Sequence, residues 1–135
     1  MPELNYSFIG AGKMATAIAA GMVRSGIAPA RIHAYDVAKA AADSFQNATG
    51  AVIAESMTEA IAASDVVILA VKPQYAPQAL AEARPALEGK LLISIAAGLT
   101  IKYLQTASGI SRIIRVPMTM SGNALPFFPT VFPTA

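Results

Sequence analysis

Residues 6–15 read YSFIGAGKMA, and this stretch decides how the chain begins to fold. Residues 6–9 are a short apolar run, which is typical of a buried strand. Gly10 and Gly12 interrupt that run, and from Met14 onward apolar side chains recur every four residues. That spacing places them on one helical stripe. The stretch therefore predicts a strand, a glycine turn and a helix in immediate succession.

The same alternation of apolar runs and helical patterns continues to residue 116. The predicted strands are residues 6–9, Arg31–Tyr35, Ala51–Ala54, Val66–Val71, Leu91–Ile95 and Arg112–Val116. The predicted helices are residues 14–24, Ala38–Asn47, Met57–Ala63, Tyr75–Leu87 and 100–107, and Pro85 is expected to kink the fourth of them or end it early. Alternation with short links gives a parallel sheet with helices on both faces. We expect an α/β fold, a doubly wound six-stranded sheet of the Rossmann type, with strand order 3-2-1-4-5-6.

The composition excludes several classes of function. With 135 residues, 55% of them hydrophobic, and a net charge of +2, the chain can bury a core and is not a disordered segment. It contains no run of basic residues that could follow a phosphate backbone, so we expect no nucleic-acid partner. It has no cysteine and one histidine, His33, so we expect neither a disulfide framework nor a metal site.

The first residues resemble neither a signal peptide nor a membrane anchor. Glu3 stands where a signal peptide has basic residues, and glycines break the apolar run that follows. No Ser-His-Asp triad can be assembled around the single histidine either, which argues against hydrolase chemistry. We therefore expect a cytoplasmic protein with no membrane partner.

The glycine turn carries the chemistry, because residues 10–15 spell G-x-G-x-x-A between a strand and a helix. Gly10 permits the tight turn, Gly12 lets the backbone approach a pyrophosphate, and Ala15 lets the helix pack closely on the strand. The phosphates would lie at the helix N-terminus, where free amides and the helix dipole favour anions, and Lys13 adds a positive charge. The pattern predicts a dinucleotide site; the alternative is a turn that only packs a helix.

Asp36 ends the second predicted strand, 26 residues after Gly10. An acid at this position of a dinucleotide-binding fold can bind the ribose hydroxyls of NAD. The alternative is that Asp36 caps the helix that follows. Lys39, or Arg31 further away, could instead attract the 2′-phosphate of NADP. The residues leave the cofactor as NADP or NAD.

Four blocks of sequence, in the same order and at about the same spacing, resemble the pyrroline-5-carboxylate reductase family. They are FIGAGKMA at 8–15, ILAVKPQ at 68–74, ISIAAGLT at 93–100 and RIIRV at 112–116. The resemblance implies an enzyme that uses NAD(P)H to reduce the cyclic imine 1-pyrroline-5-carboxylate to proline. Its partner would be that small-molecule imine, and no protein side chain is expected to act as a nucleophile.

The resemblance also implies which residues bind the cofactor. The segment from Ile9 to Met14 would hold the pyrophosphate. Residues 70–73 would lie near the nicotinamide, and residues 96–98 would line the same cleft. Lys72 is either a charge beside the cofactor or a solvated strand end. The full expected set, with Asp36, is Ile9, Gly10, Ala11, Gly12, Lys13, Met14, Asp36, Ala70, Val71, Lys72, Pro73, Ala96, Ala97 and Gly98.

The last 19 residues, 117–135, depart from the α/β pattern and from the family. They hold four of the nine prolines, three of the five phenylalanines and no charged residue. We expect a dinucleotide-binding domain over residues 1–116, followed by an irregular apolar tail that, with the sheet edge, favours a homo-oligomer. Nothing here matches the family's helical C-terminal domain. The chain thus resembles a truncated, cofactor-binding half; the alternatives are a catalytically silent dinucleotide-binding module or another dehydrogenase of the superfamily.

Overall fold

The computed structural model describes residues 3–116, which form a six-stranded parallel sheet in the order β3-β2-β1-β4-β5-β6. The strands are β1 (Tyr6–Ile9), β2 (Ile32–Tyr35), β3 (Val52–Ile53), β4 (Val66–Leu69), β5 (Leu91–Ser94) and β6 (Ile113–Arg115). The helices are α1 (Lys13–Arg24), α2 (Lys39–Thr49), α3 (Met57–Ala62), α4 (Ala76–Ala83) and α5 (Ile101–Ser108). The predicted doubly wound fold and its strand order are confirmed.

Helices cover both faces of the sheet. Helices α1 and α2 contact each other on one face, and α3, α4 and α5 pack side by side on the other. On the first face the rings of Phe8 and Phe45 are fully buried, with their centroids 5.5 Å apart. Burying a side chain of this size contributes about 2 to 3 kcal/mol. The centre of the sheet is thereby filled with packed side chains, and the loops at the strand ends remain to form a site.

The helix ends follow the expected local chemistry. Gly50 ends α2 in the left-handed conformation, with φ 78°. Ser56 and Thr100 cap α3 and α5, each accepting a hydrogen bond from the backbone amide three residues later. Pro77 lies in the first turn of α4, where its missing N–H is not needed.

Several predicted boundaries are wrong, among them those of β4 and α4. The fourth strand ends at Leu69 rather than Val71, because the chain turns away from the sheet after Ala70. The helix predicted over Tyr75–Leu87 is divided: a 3₁₀ turn covers Pro73–Tyr75, α4 ends at Ala83, and a second 3₁₀ turn covers Arg84–Ala86. Pro85 lies in that second turn, since its ring cannot continue an α-helix.

The tail that we expected over residues 117–135 lies outside the described residues. Within residues 3–116 every helix is too short or too polar to cross a bilayer. The same range contains no cluster of three or more side chains able to hold a metal ion.

Candidate cofactor site

The candidate site lies where the central strands end together. Tyr35, Ile9, Leu69 and Ser94 form the last row of the sheet, aligned across β2, β1, β4 and β5. Hydrogen bonds join the next residues to this row: the Gly10 amide donates to the Tyr35 carbonyl at 2.9 Å. The residues that follow the four strands therefore stand side by side on the carboxyl edge, where open α/β sheets bind ligands.

Gly10 is required by the fold itself. Its φ is +101°, in the region that side chains disfavour. A Cβ at this position would lie 2.9 Å from both the carbonyl carbon and the carbonyl oxygen of Ala70. Gly10 therefore brings the turn after β1 against the end of β4, a close approach that the sequence pattern did not reveal.

Gly12 differs from Gly10 because the space beside it is empty. A Cβ there would have no atom within 4 Å, and the residue is exposed. Gly12 is the N-cap of α1 and has no side chain to bond the first amides of the helix. Those amides consequently have no side-chain cap, and they begin beside the exposed backbone of Gly12. This is the arrangement that an incoming diphosphate needs.

The first turn of α1 favours an anion. It contains no acidic residue, and Lys13 is exposed there. The Thr16 hydroxyl donates back to the Gly12 carbonyl at 2.8 Å, so this carbonyl oxygen already has a donor within the first turn. Ala15 is fully buried, which confirms that its small side chain lets the helix pack closely on the sheet.

Asp36 ties the end of β2 to the glycine turn. Its Oδ2 accepts a hydrogen bond from the Ala11 amide at 2.8 Å, and its Oδ1 accepts one from the Ala38 amide at 2.8 Å. Helix α2 begins at Lys39 with Ala38 as its N-cap, so Asp36 is not the N-cap residue. Its carboxylate instead forms an Asx turn just before the helix and binds an amide of the loop.

The two cations that could have attracted a 2′-phosphate have other partners. Arg31 lies at the opposite end of β2, where its guanidinium is ion-paired with Glu3 and donates to the Glu3 carbonyl. The expectation that Arg31 could attract the 2′-phosphate of NADP is therefore wrong. Lys39 lies in the first turn of α2, and its Nζ is 3.1 Å from Asp43 Oδ2.

The segments after β4 and β5 supply the rest of the edge. Ala70 and Val71 are half-buried, whereas Lys72 and Pro73 are exposed. After β5, Ala96 is buried and Ala97 is exposed; Gly98 is also exposed and has φ +81°. Both predicted segments, residues 70–73 and 96–98, thus reach the same edge as the glycine turn. Their role in binding remains a prediction.

Other features of this edge were missed from the sequence. Val37 is 88% exposed and Tyr75 is 57% exposed, so two large apolar side chains face solvent just after β2 and just after β4. Ser94 ends β5 with a fully buried hydroxyl that no described residue bonds. The periodicity of the sequence does not predict that Val37 and Tyr75 are exposed, because their exposure depends on where neighbouring loops lie.

A side chain with a shifted pKa, Tyr6, lies at the opposite edge of the sheet from the candidate site. Burial raises the pKa of Tyr6, at the start of β1, and the nearby Asp65 carboxylate raises it further. The phenol therefore stays protonated over the physiological range.

The chain was compared with known families and proteins. A family model described as NADP oxidoreductase, coenzyme F420-dependent, matches residues 5–98. The chain belongs to this family. A pyrroline-5-carboxylate reductase from Glycine max is 42% identical over 124 residues, covering 86% of this chain and 44% of its own length. One from Escherichia coli is 34% identical over 114 residues, covering 83% of this chain and 42% of the relative. These relatives confirm the resemblance found in the motifs, and the matched part of this chain spans less than half of each relative's length.

Solved structures agree with the sequence comparison. A pyrroline-5-carboxylate reductase from Coxiella burnetii aligns with a TM-score of 0.79 at 32% identity, covering 84% of this chain and 43% of the other. The Plasmodium falciparum pyrroline carboxylate reductase with NADP bound has a TM-score of 0.74 at 31% identity, covering 85% and 42%. A prephenate dehydrogenase from A. aeolicus, with a TM-score of 0.71 at 17% identity, shares the fold.

Proposed function

We propose that this chain binds NADH or NADPH on the carboxyl edge of its sheet and forms the cofactor half of a pyrroline-5-carboxylate reductase. The observation that carries the proposal is the empty space at Gly12 beside the uncapped first amides of α1. A diphosphate fits there because small side chains leave the backbone uncovered and the helix dipole favours negative charge. The matched relatives, all reductases of this name, support the reaction.

The proposed roles of the site residues follow their positions. Residues 9–14 would hold the diphosphate, with the amides of α1 as donors and Lys13 as a counter-charge. Asp36 would face the adenosine ribose. Residues 70–73 and 96–98, which follow β4 and β5, would form the wall nearer the nicotinamide. Lys72, exposed at the end of β4, would place a positive charge beside that wall.

The proposed reaction requires the cofactor and the imine to be positioned, and it does not require a protein nucleophile. NAD(P)H supplies a hydride when it is bound. The chain's own contribution is to fix the position of the dinucleotide through backbone amides and to shape one wall of the cleft. The imine substrate, 1-pyrroline-5-carboxylate, is electrophilic when its nitrogen carries a proton, and hydride addition to the carbon of this iminium then gives the neutral amine. A site mainly has to orient the iminium within about 3 to 3.5 Å of the donor. The proposed product is proline.

A second candidate function is a dinucleotide-binding module without catalysis. The site itself favours it, because the exposed backbone beside Gly12 and the uncapped amides of α1 account for dinucleotide binding without any catalytic side chain.

The proposed domain comprises residues 1–116, and β6, with half-buried Ile113 and Ile114, forms an edge of its sheet. We propose that this edge, with the apolar residues 117–135, supports homo-oligomerisation. The proposed compartment is the cytoplasm, which the lack of cysteine supports.

The test combines calorimetry with a steady-state assay. Oxidation of NADH and of NADPH is followed with 1-pyrroline-5-carboxylate at high concentrations of the 135-residue chain, and binding of both dinucleotides is measured separately. We expect binding together with imine-dependent oxidation. Binding without oxidation would assign the chain to the silent module, and the absence of binding would overturn both functions.

A further inference from the structure

Arg115 is the last residue of β6, and its side chain contacts the loop that follows β5. Its Nη1 donates a hydrogen bond to the Leu99 carbonyl at 3.3 Å. The backbone brings the two elements together, because Arg115 is aligned with Ser94 in the β5–β6 pair and the Val116 amide donates to the Ser94 carbonyl at 2.8 Å. The last strand of the sheet thus bonds the far end of the loop that follows its neighbour.

The β5–α5 loop, residues 95–99, has few other bonds to the protein. At its start the Ile95 amide donates to the Leu69 carbonyl at 3.1 Å. Ala97 and Gly98 are exposed, and their amides donate to no acceptor among residues 3–116. After its first residue, the loop therefore receives one hydrogen bond from another element of the described chain, and that bond comes from the guanidinium.

Gly98 makes the shape of the β5–α5 loop depend on this bond. Its φ is +81°, and a Cβ at this position would meet no atom within 4 Å, so packing does not restrict it. Glycine adopts many backbone conformations, and holding it in one of them costs conformational entropy. A loop that contains an unrestricted glycine needs a contact at its far end to keep one shape. The Arg115 guanidinium supplies such a contact.

No carboxylate competes for the Arg115 guanidinium among residues 3–116. The ion pairs in that range lie elsewhere, at Arg31 and at Lys39. Arg115 is exposed, and the bond to Leu99 uses one of its five N–H donors. A charged donor makes a stronger hydrogen bond than a neutral one, so a guanidinium is well suited to fix a carbonyl in place.

We infer that Arg115 is a positioning residue, which holds residues 96–98 in the shape in which they form the wall beside the nicotinamide. The inference rests on the proposed function, which places the nicotinamide next to these residues. Arg115 acts through the Leu99 carbonyl and not on the cofactor itself. Small displacements of groups that position a ligand have large effects. Loss of the guanidinium should therefore weaken contact with the nicotinamide ring and leave diphosphate binding at the glycine turn unchanged.

The test compares a dinucleotide with the same molecule without its nicotinamide ring. Calorimetry gives the dissociation constants of NADH and ADP-ribose, or of NADPH and 2′-phospho-ADP-ribose if the unaltered chain binds NADPH more tightly. Both members of a pair carry the same phosphates, so the loss of a positive charge changes both affinities alike. The variant is Arg115→Met, and the matched control is Arg84→Met. Arg84 donates to the carbonyls of Thr106 and Ala107, at 2.8 and 3.1 Å, at the other end of α5.

We expect the unaltered chain to bind the dinucleotide about fivefold or more tightly than its ring-free counterpart. Arg115→Met should lower this ratio by about threefold or more, whereas Arg84→Met should leave it within about twofold. Equal affinities of the unaltered chain for both molecules, a ratio unchanged in folded Arg115→Met, or a ratio lowered equally by Arg84→Met would overturn the inference and leave the proposed function intact.

A second measurement keeps the inference testable if Arg115→Met fails to fold. In the ¹⁵N-labelled unaltered chain, nuclear magnetic resonance follows the amides of Ala97 and Gly98 and the Nε–H of Arg115. These signals should shift when the dinucleotide is added and shift much less with its ring-free counterpart. Equal shifts with both molecules, or none with either, would overturn the inference. If neither molecule binds, the proposed function fails and the inference fails with it.

Discussion

The two edges of the sheet use their polar groups in opposite ways. At the amino edge they bind each other: Arg31 is paired with Glu3, Asp65 accepts the Asn5 amide at 2.9 Å, and Lys90 donates to the Ser64 carbonyl at 2.6 Å. At the carboxyl edge glycine and alanine predominate, and the first amides of α1 have no side-chain cap. One edge is therefore built for stability and the other is left accessible to a ligand.

Gly10 lies at the open carboxyl edge, yet its positive φ and its close approach to Ala70 leave no room for a side chain. Gly10→Ala should lower the free energy of unfolding by about 2 to 4 kcal/mol, from the strained positive φ and the contact with Ala70. Urea denaturation followed by circular dichroism measures this directly. A loss below about 0.5 kcal/mol would show that the turn can relax and that the close approach to β4 is not essential.

A smaller effect is expected at the amino edge. Lys90→Met removes the hydrogen bond to the Ser64 carbonyl while keeping the aliphatic stem, so unfolding should become easier by about 1 to 2 kcal/mol. Affinity for a nicotinamide dinucleotide should not change. The affinity is measured by fluorescence titration under conditions in which the variant is folded. A severalfold loss of affinity would contradict the view that the amino edge stabilises the fold and the carboxyl edge binds the ligand.

The sequence predicted the fold well because the determining signals are local. Apolar runs such as Val66–Leu69, left-handed glycines such as Gly50 and caps such as Ser56 act within a few residues. Where the fold was mispredicted, as at Val71, the boundary depends on where the neighbouring strand ends. Periodicity along one chain segment contains no information about that neighbour.

The candidate site was predictable in composition but not in geometry. The glycine motif and Asp36 could be identified from their spacing, whereas the bond from Ala11 to Asp36 joins residues 25 positions apart. The same limitation applies to Gly10, whose close neighbour Ala70 belongs to another strand. Arg31 was considered a phosphate ligand because only its distance along the chain was known; the direction of β2 places it at the other edge.

The central claim is that a diphosphate binds at the open backbone beside Gly12, and a fluorescence titration of NADH into the unaltered chain and into Gly12→Ala tests it most directly. Because an added methyl group at Gly12 meets no protein atom, the free energy of unfolding of the variant should differ from that of the unaltered chain by less than about 1 kcal/mol. We predict saturable binding to the unaltered chain and at least tenfold weaker binding to the variant. Equal binding to both proteins, or none to the unaltered chain, would contradict the account.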